Sequence, residues 1–590
     1  MPDLPKIHAV KDIRMGRDAG QEAWIQHFLI ENNLDSQLSP GLVATPEQLR
    51  FMVTLDDDQV YVPCADSLFL QVYSGKFSDG LQREYDDAWQ FIETLVHDSV
   101  LSPTAKQRIL LLCRYRFDLY VGSRMILPSR LVKRLVGIVL QQMNDPDPFR
   151  GKKQLANSRM AQILDDPAYQ EHLQACPDLT SGLSVADLRW QLDYVELERL
   201  FRVATLRSLW STQLSTQLSP KLSSKFSADE FAAELAKPCE AAACLHDLLG
   251  PETNPRKKIL YIPDVSGGFM ADLKLVKSLV RQGHQVVIAL KEAFYFNSPV
   301  MWDLEADPVL AAATDGIFVL DDDAVSKNQL LQYLREHRLV IISDGTSEQM
   351  NLYRVSVTFA RAWKECDLVI AKGRRNCGVF LGTSHEYSRD VLCFWRDNDG
   401  VFHMQCKPRS ESVRKFTETA LIQMADGIID QMREARESGK SVMFYSAIIG
   451  SIPGQTRLAT KVVSVFVKSL RNKLENTFII NPAEHFENGL DGDDLMYMWE
   501  RVQRSGYLDV WRFQTVDDIE VSFDLLGKKV PSAWMGKDAT FSTGCTKEMI
   551  IAIDVQRKHP EMQIIGPAAE KFFRRREYGV GKYFDARIKQ

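Results

Sequence analysis

No two of the ten cysteines stand at CxxC spacing, which removes a cysteine-based zinc site or a thioredoxin-type centre from consideration. Reduced, mostly buried thiols are expected instead. The chain also lacks an uninterrupted apolar run long enough for a bilayer. Its amino-terminal segment MPDLPKIHAVKDIRMGRDAGQEAWIQHF has no basic stretch followed by an apolar core. A cytoplasmic protein with no membrane partner is the expectation. A strong excess of one charge is missing too: the formal net charge of -6 offers no global attraction to phosphate backbones, so nucleic acid is disfavoured as a partner. The turn GSIPGQTRL, 450–458, lacks the Gly-Lys-Ser/Thr ending of a P-loop, which argues against ATP binding by that device.

What is present is material for several cores. With 590 residues, 45% of them hydrophobic, the chain exceeds what one core organises. The segments YDDAWQFIETLVHDSVL, TAKQRILLLCRYRFDLYVGSRMI and SRLVKRLVGIVLQQM repeat apolar residues every three or four positions and predict helices. Asp145-Pro146-Asp147-Pro148 interrupts them and predicts a new helix with proline in its first turn. A Ser/Thr/Gln-rich stretch, STQLSTQLSPKLSSKFS, reads as a linker or a polar helix. Beyond it, the apolar runs ILYIPD, QVVIAL, GIFVLD, LVIISDG and DLVIAKG alternate with helical patterns, which predicts a mainly parallel sheet covered on both faces. A further set, SVMFYSAI, NTFIIN, LDVWRFQ and MQIIG, predicts another α/β region. The fold class is therefore α/β: a helical amino-terminal domain (1–228), a doubly wound α/β domain (229–411) and a carboxyl-terminal α/β region (412–590).

The most informative segment is KKILYIPDVSGGFMADLKLVKSLVRQGHQVVIALK. An apolar strand ends in Asp264, a Ser266-Gly267-Gly268 turn follows, and an amphipathic helix begins. A carboxylate at a strand's carboxyl end, beside a glycine turn and a helix amino terminus, is where open α/β sheets place ligands. Asp264 also suits a plain helix cap, and the glycines a plain tight turn. Lys372 and Asp344 end two other predicted strands, so a site built from Asp264, Asp344 and Lys372 is expected. In the last region FSTGCTKEM predicts a capped helix start with Cys545 as a structural thiol, and Lys571, Arg574, Arg575 and Arg576 a solvated basic face.

Several of these patterns together resemble the damage-control phosphatase family, one branch of which is named for acidic-residue methyl transfer. DPFRGKKQLAN is similar to its Asp-Pro-aromatic segment with a later lysine and asparagine, here Asp147, Pro148, Phe149, Lys153 and Asn157. Its metal loop stands here as Asp264, Val265, Ser266, Gly267 and Asp272, and a later Asn-Asp segment as NSPVMWD, Asn297 to Asp303. DLVIAKGRRN, Asp367 to Asn376, resembles the family's strand ending in Lys-Gly.

The resemblance implies hydrolysis of a small phosphorylated metabolite with a divalent metal, Mn, Ni, Co or Mg. Asp264 would hold the metal with help from Asn297 or Asp303. Ser266, Gly267, Asp344, Lys372 and Asn376 would face the phosphate, and Asp264 and Lys372 would act in catalysis. Two positions depart from the family pattern: Val265 replaces an asparagine and Ser298 an aspartate, both expected metal ligands. Hard divalent cations want several oxygen donors. A non-catalytic module that binds a phosphorylated ligand, or regulates, is the alternative expectation. No glycine-rich adenosyl-binding signature supports methyl transfer.

Overall fold

A computed structural model describes residues 4–35, 42–176, 182–211, 227–237, 242–250, 256–452, 455–485, 487 and 489–573. The chain divides into two compact units, Met1–Ser412 and Val413–Gln590. The helical stretch and the α/β core that the sequence separates near residue 228 lie together in the first. Most of the Ser/Thr/Gln-rich stretch, 212–226, and Arg574, Arg575 and Arg576 lie outside the described residues.

In chain order the strands of the first unit are β1 (Val53–Thr54), β2 (Lys258–Ile262), β3 (Gln285–Leu290), β4 (Phe318–Leu320), β5 (Leu339–Ser343), β6 (Leu368–Lys372), β7 (Glu386–Tyr387), β8 (Asp390–Arg396) and β9 (Phe402–Lys407). Seven make one sheet in the order β4-β5-β3-β2-β6-β8-β9, parallel except for β9, which runs antiparallel to β8. β1 and β7 form a separate antiparallel pair.

Strict alternation explains the two-sided burial, because successive side chains leave a strand on opposite faces. Ile259, Tyr261, Ile288, Ile370 and Phe394 pack into one core with the helices Arg150–Asp165, Val185–Thr205 and Gly268–Arg281. Their neighbours Leu260, Ile262, Val287, Val369 and Cys393 pack into another with Leu330, Phe359 and Trp363. A third cluster joins the helices Asp79–Asp98, Pro103–Gly122 and Pro128–Met143 to Phe149 and the loop Phe294-Tyr295-Phe296. The prolines around Asp147 precede the next helix instead of opening it: the Asp147 carboxylate accepts from the Phe149 amide at 2.9 Å, and the helix begins at Arg150.

Among its described residues the second unit has four parallel strands, β10 (Ser441–Ser446), β11 (Thr477–Ile480), β12 (Val510–Phe513) and β13 (Gln563–Ile565), in the order β11-β10-β12-β13. Ser542 caps the helix Thr543–Lys558 by accepting from the Cys545 amide, and burial pushes the Cys545 thiol up, which suits a structural cysteine. Lys571 pairs with Asp538.

The expectation of reduced thiols needs one correction. Cys244 and Cys406 form a disulfide, because the helix Ala242–Leu249 and β9 bring their Cα atoms to 6.4 Å. Cys64, Cys113, Cys377, Cys393 and Cys545 are buried and outside any disulfide. Among the described residues no helix is long and apolar enough to cross a membrane.

Candidate functional site

The order of the sheet reverses between β2 and β6, since β3 lies on one side of β2 and β6 on the other. Open parallel sheets present a crevice at such a point, at the carboxyl ends of the strands. Asp264 follows β2 there and Gly373 follows β6. Gly373 has φ of 89°, and a β-carbon on it would overlap the Asp264 carboxyl group. Glycine is thus required for the two strand ends to meet.

Both carboxylate oxygens of Asp264 face arginine. Arg207 Nη2 lies 3.5 Å from Oδ2, and Arg375 Nη2 lies 3.4 Å from Oδ1. The Arg375 guanidinium lies over the rings of Tyr295 and Phe296, at 5.1 Å and 5.9 Å from their centroids, a cation–π arrangement that fixes its plane. The narrow cleft beside Asp264 is lined by Lys291, Tyr295, Ser298, Asp344, Arg375 and Asn376, among others.

Asp344, Asp272, Asp147 and Asp303, around the strand ends, have lysine partners. Lys291 donates to Asp344 at 2.6 Å. Lys372 contacts both oxygens of Asp272 at 2.8 Å. Lys153 bridges Asp147 and Asp303, at 2.7 Å to each. Burial pushes the Asp272 carboxyl up to about 6, opposed by the Lys372 charge, and burial lowers the Lys372 ammonium. Burial also raises Asp344 and Asp303, again opposed by their lysines.

These pairings place the residues singled out in the sequence differently from one another. Asp264, Asp344 and Asn376 come together at the cleft. Lys372 is buried beneath it and directed at Asp272, where a phosphate-binding role was expected. Asn376 donates to the carbonyls of Pro263 and Lys372, at 3.1 and 2.9 Å, so its amide nitrogen ties the two strand ends together.

Of the two readings of the Ser-Gly-Gly turn, an anion cradle or a plain tight turn, the structure has a closed turn. The Ser266 amide donates to the Asn297 carbonyl at 2.8 Å, and the Gly267 amide to Asn157 Oδ1 at 2.6 Å. The Trp210 indole covers Gly267 so closely that a β-carbon there would overlap it. Arg207, Trp210, Lys291 and Arg375 were not singled out by sequence reasoning. Arg375 lies inside the DLVIAKGRRN segment, whereas nothing local connects Arg207 or Trp210 to a strand end more than fifty residues away.

A divalent metal here would have to find its oxygen donors in this set. Val265 presents an apolar side chain, and its carbonyl accepts from the Phe269 amide. Ser298 offers only a hydroxyl. Asp303, expected to help hold the metal, is committed to Lys153 and the Val300 amide, and Asn297, whose main-chain carbonyl accepts from Ser266, could add only one neutral side-chain oxygen. Asp264 is the remaining carboxylate, and two guanidiniums face it. Among the described residues no group of three or more His, Cys, Asp or Glu side chains is placed to hold a metal ion. The donors present therefore do not fit a hard divalent cation.

Residues 73–396 match the family described as the damage-control phosphatase ARMT1-like domain. Among solved structures, the chain is similar to a DUF89 family protein from Pyrococcus horikoshii, with 16% identity and a TM-score of 0.36 over 54% of this chain and 89% of that one. No curated protein matches.

Proposed function

Since the chain belongs to the damage-control phosphatase ARMT1-like family, we propose that it is a phosphatase-like protein whose cleft beside Asp264 takes a small phosphorylated metabolite by its phosphoryl group. The observation that carries this reading is the convergence of Arg207 and Arg375 on the strand ends, with side chains 64% and 36% exposed. Guanidinium donors match phosphate oxygens in geometry and charge. Lys291 and Lys372 are each taken by one buried carboxylate and Lys153 by two, whereas Arg207 and Arg375 share Asp264 at longer range and keep exposed donors.

Recognition is better supported than metal-dependent hydrolysis, because the donor set lacks the oxygens that a divalent ion needs. A second reading, retained hydrolysis, is favoured by Asp264 itself, which occupies the strand end where the family's metal loop begins. One experiment separates them: metal analysis of the purified chain, then a binding and turnover screen over sugar phosphates and cofactor phosphates with Mn, Ni, Co and Mg added in turn. Binding without turnover and without stoichiometric metal is expected. Near-stoichiometric metal, with turnover that Asp264→Ala abolishes, would establish the hydrolase instead.

A further inference from the structure

Asp264, at the switch point, takes its counter-charge from two arginines. Asp272 and Asp344 are each met by one buried lysine at hydrogen-bond distance, and Asp303 shares Lys153 with Asp147. At Asp264, two guanidiniums stand at 3.4 and 3.5 Å, the long end of a charge-assisted contact. Two arginines against one aspartate carry the same formal charge as one divalent cation against that aspartate. The two positions that depart from the family pattern, Val265 and Ser298, are those where a cation would need oxygen donors.

We propose that Arg207 and Arg375 take the place of the divalent ion, so that the cleft holds the phosphoryl group of its ligand by arginine and needs no metal. This rests on the phosphoryl-binding reading above. Arg375 is the fixed half of the clamp, its guanidinium plane held by Tyr295 and Phe296. Arg207, mostly exposed, is the half that can close over a ligand. Each guanidinium has five N–H donors; each gives Asp264 a single long contact and Arg375 also reaches Tyr295, so donors remain for phosphate oxygens. Asp264 is a positioning residue here: it gathers the two guanidiniums when the cleft is empty and competes with the ligand for them.

The chemistry of a metal centre predicts the opposite for Asp264, which supplies the test. Calorimetric titration of the full chain, stripped with EDTA, uses inorganic phosphate and glucose 6-phosphate as probes. Binding is expected to persist in EDTA and to weaken about tenfold or more in Arg207→Ala, whose exposed side chain leaves folding intact, and in Arg375→Ala. Asp264→Asn is expected to bind the probes at least as tightly as the parent, because loss of the carboxylate frees both guanidiniums. Thermal unfolding of each variant separates lost binding from lost fold. Binding that needs added Mn, Ni, Co or Mg and disappears in Asp264→Asn overturns the arginine assignment and leaves the phosphoryl-binding reading standing. No binding with or without metal removes both.

Discussion

Lys372 at the end of β6 contacts both carboxylate oxygens of Asp272 on the helix Gly268–Arg281, and solvent reaches neither side chain appreciably. The pair lies directly under the Gly-Gly turn: a β-carbon on Gly268 would come within 2.7 Å of the ammonium nitrogen. A lysine that sequence reasoning assigned to the ligand thus fastens a helix to the sheet.

Removing one partner of such a pair leaves an uncompensated buried charge. Lys372→Met is expected to lower the unfolding free energy by about 3–5 kcal/mol, with Lys372→Met/Asp272→Leu recovering much of it. Urea unfolding checks this. A Lys372→Met chain as stable as the parent, yet unable to bind phosphate, would return the ammonium to the cleft.

Lys153 serves Asp147 and Asp303 together. Lys153→Met confines two carboxylates to a site with no cation, so its cost is expected to reach at least about 3–5 kcal/mol. It should also loosen the 297–303 loop that lines the cleft through Ser298, seen as faster amide exchange across that loop. Unchanged protection there would mean that the loop is held by other contacts.

At Gly373, φ of 89° and the Asp264 carboxyl group both exclude a side chain. Gly373→Ala is expected to cost about 1–3 kcal/mol from the backbone alone, with steric displacement of Asp264 in addition. A lowered melting temperature together with altered phosphate affinity is the expected readout. Gly378→Ala, where a β-carbon meets nothing within 4 Å, is the control.

In the second unit Glu548 accepts from Gln503 at 3.1 Å, and burial pushes its carboxyl up to about 7, opposed by hydrogen bonds from Ser446, Gln503 and Cys545. In the unfolded chain the same carboxyl titrates near its ordinary 4.5. Between those values the folded state keeps a proton that the unfolded state has lost. Stability from this group is therefore present at low pH, falls as pH rises from about 4.5 to about 7, and is level above. Glu548→Gln should remove that slope, gaining on the order of 3 kcal/mol relative to the parent at about pH 8. Parallel pH profiles of the two chains in urea unfolding would contradict it.

Sequence alone determined the sheets more fully than the site. Short apolar runs bounded by glycine and charge located β2 to β6 and β10 to β13; in the inner strands two-sided burial leaves a continuous apolar signal, while the edge strands β4 and β13, partly exposed, kept apolar runs all the same. The hairpin of β8 and β9 was not singled out. β9 is an edge strand, largely half-buried, and its polar residues mask the pattern. Asp264 was legible for a local reason: strand end, glycine turn and helix start are consecutive in the chain.

The partners of each charge were decided only by tertiary structure. Arg207 lies 57 residues before Asp264, and Arg375 lies 111 after it. Asp272 and Lys372 are separated by 100. These groups meet because the sheet reverses its order between β2 and β6, which brings distant strand and helix ends into one crevice. Sequence specifies which side chains carry charge. A charge acquires its role from the counter-charge and the burial it receives, and both were set when the strands took their places in the sheet.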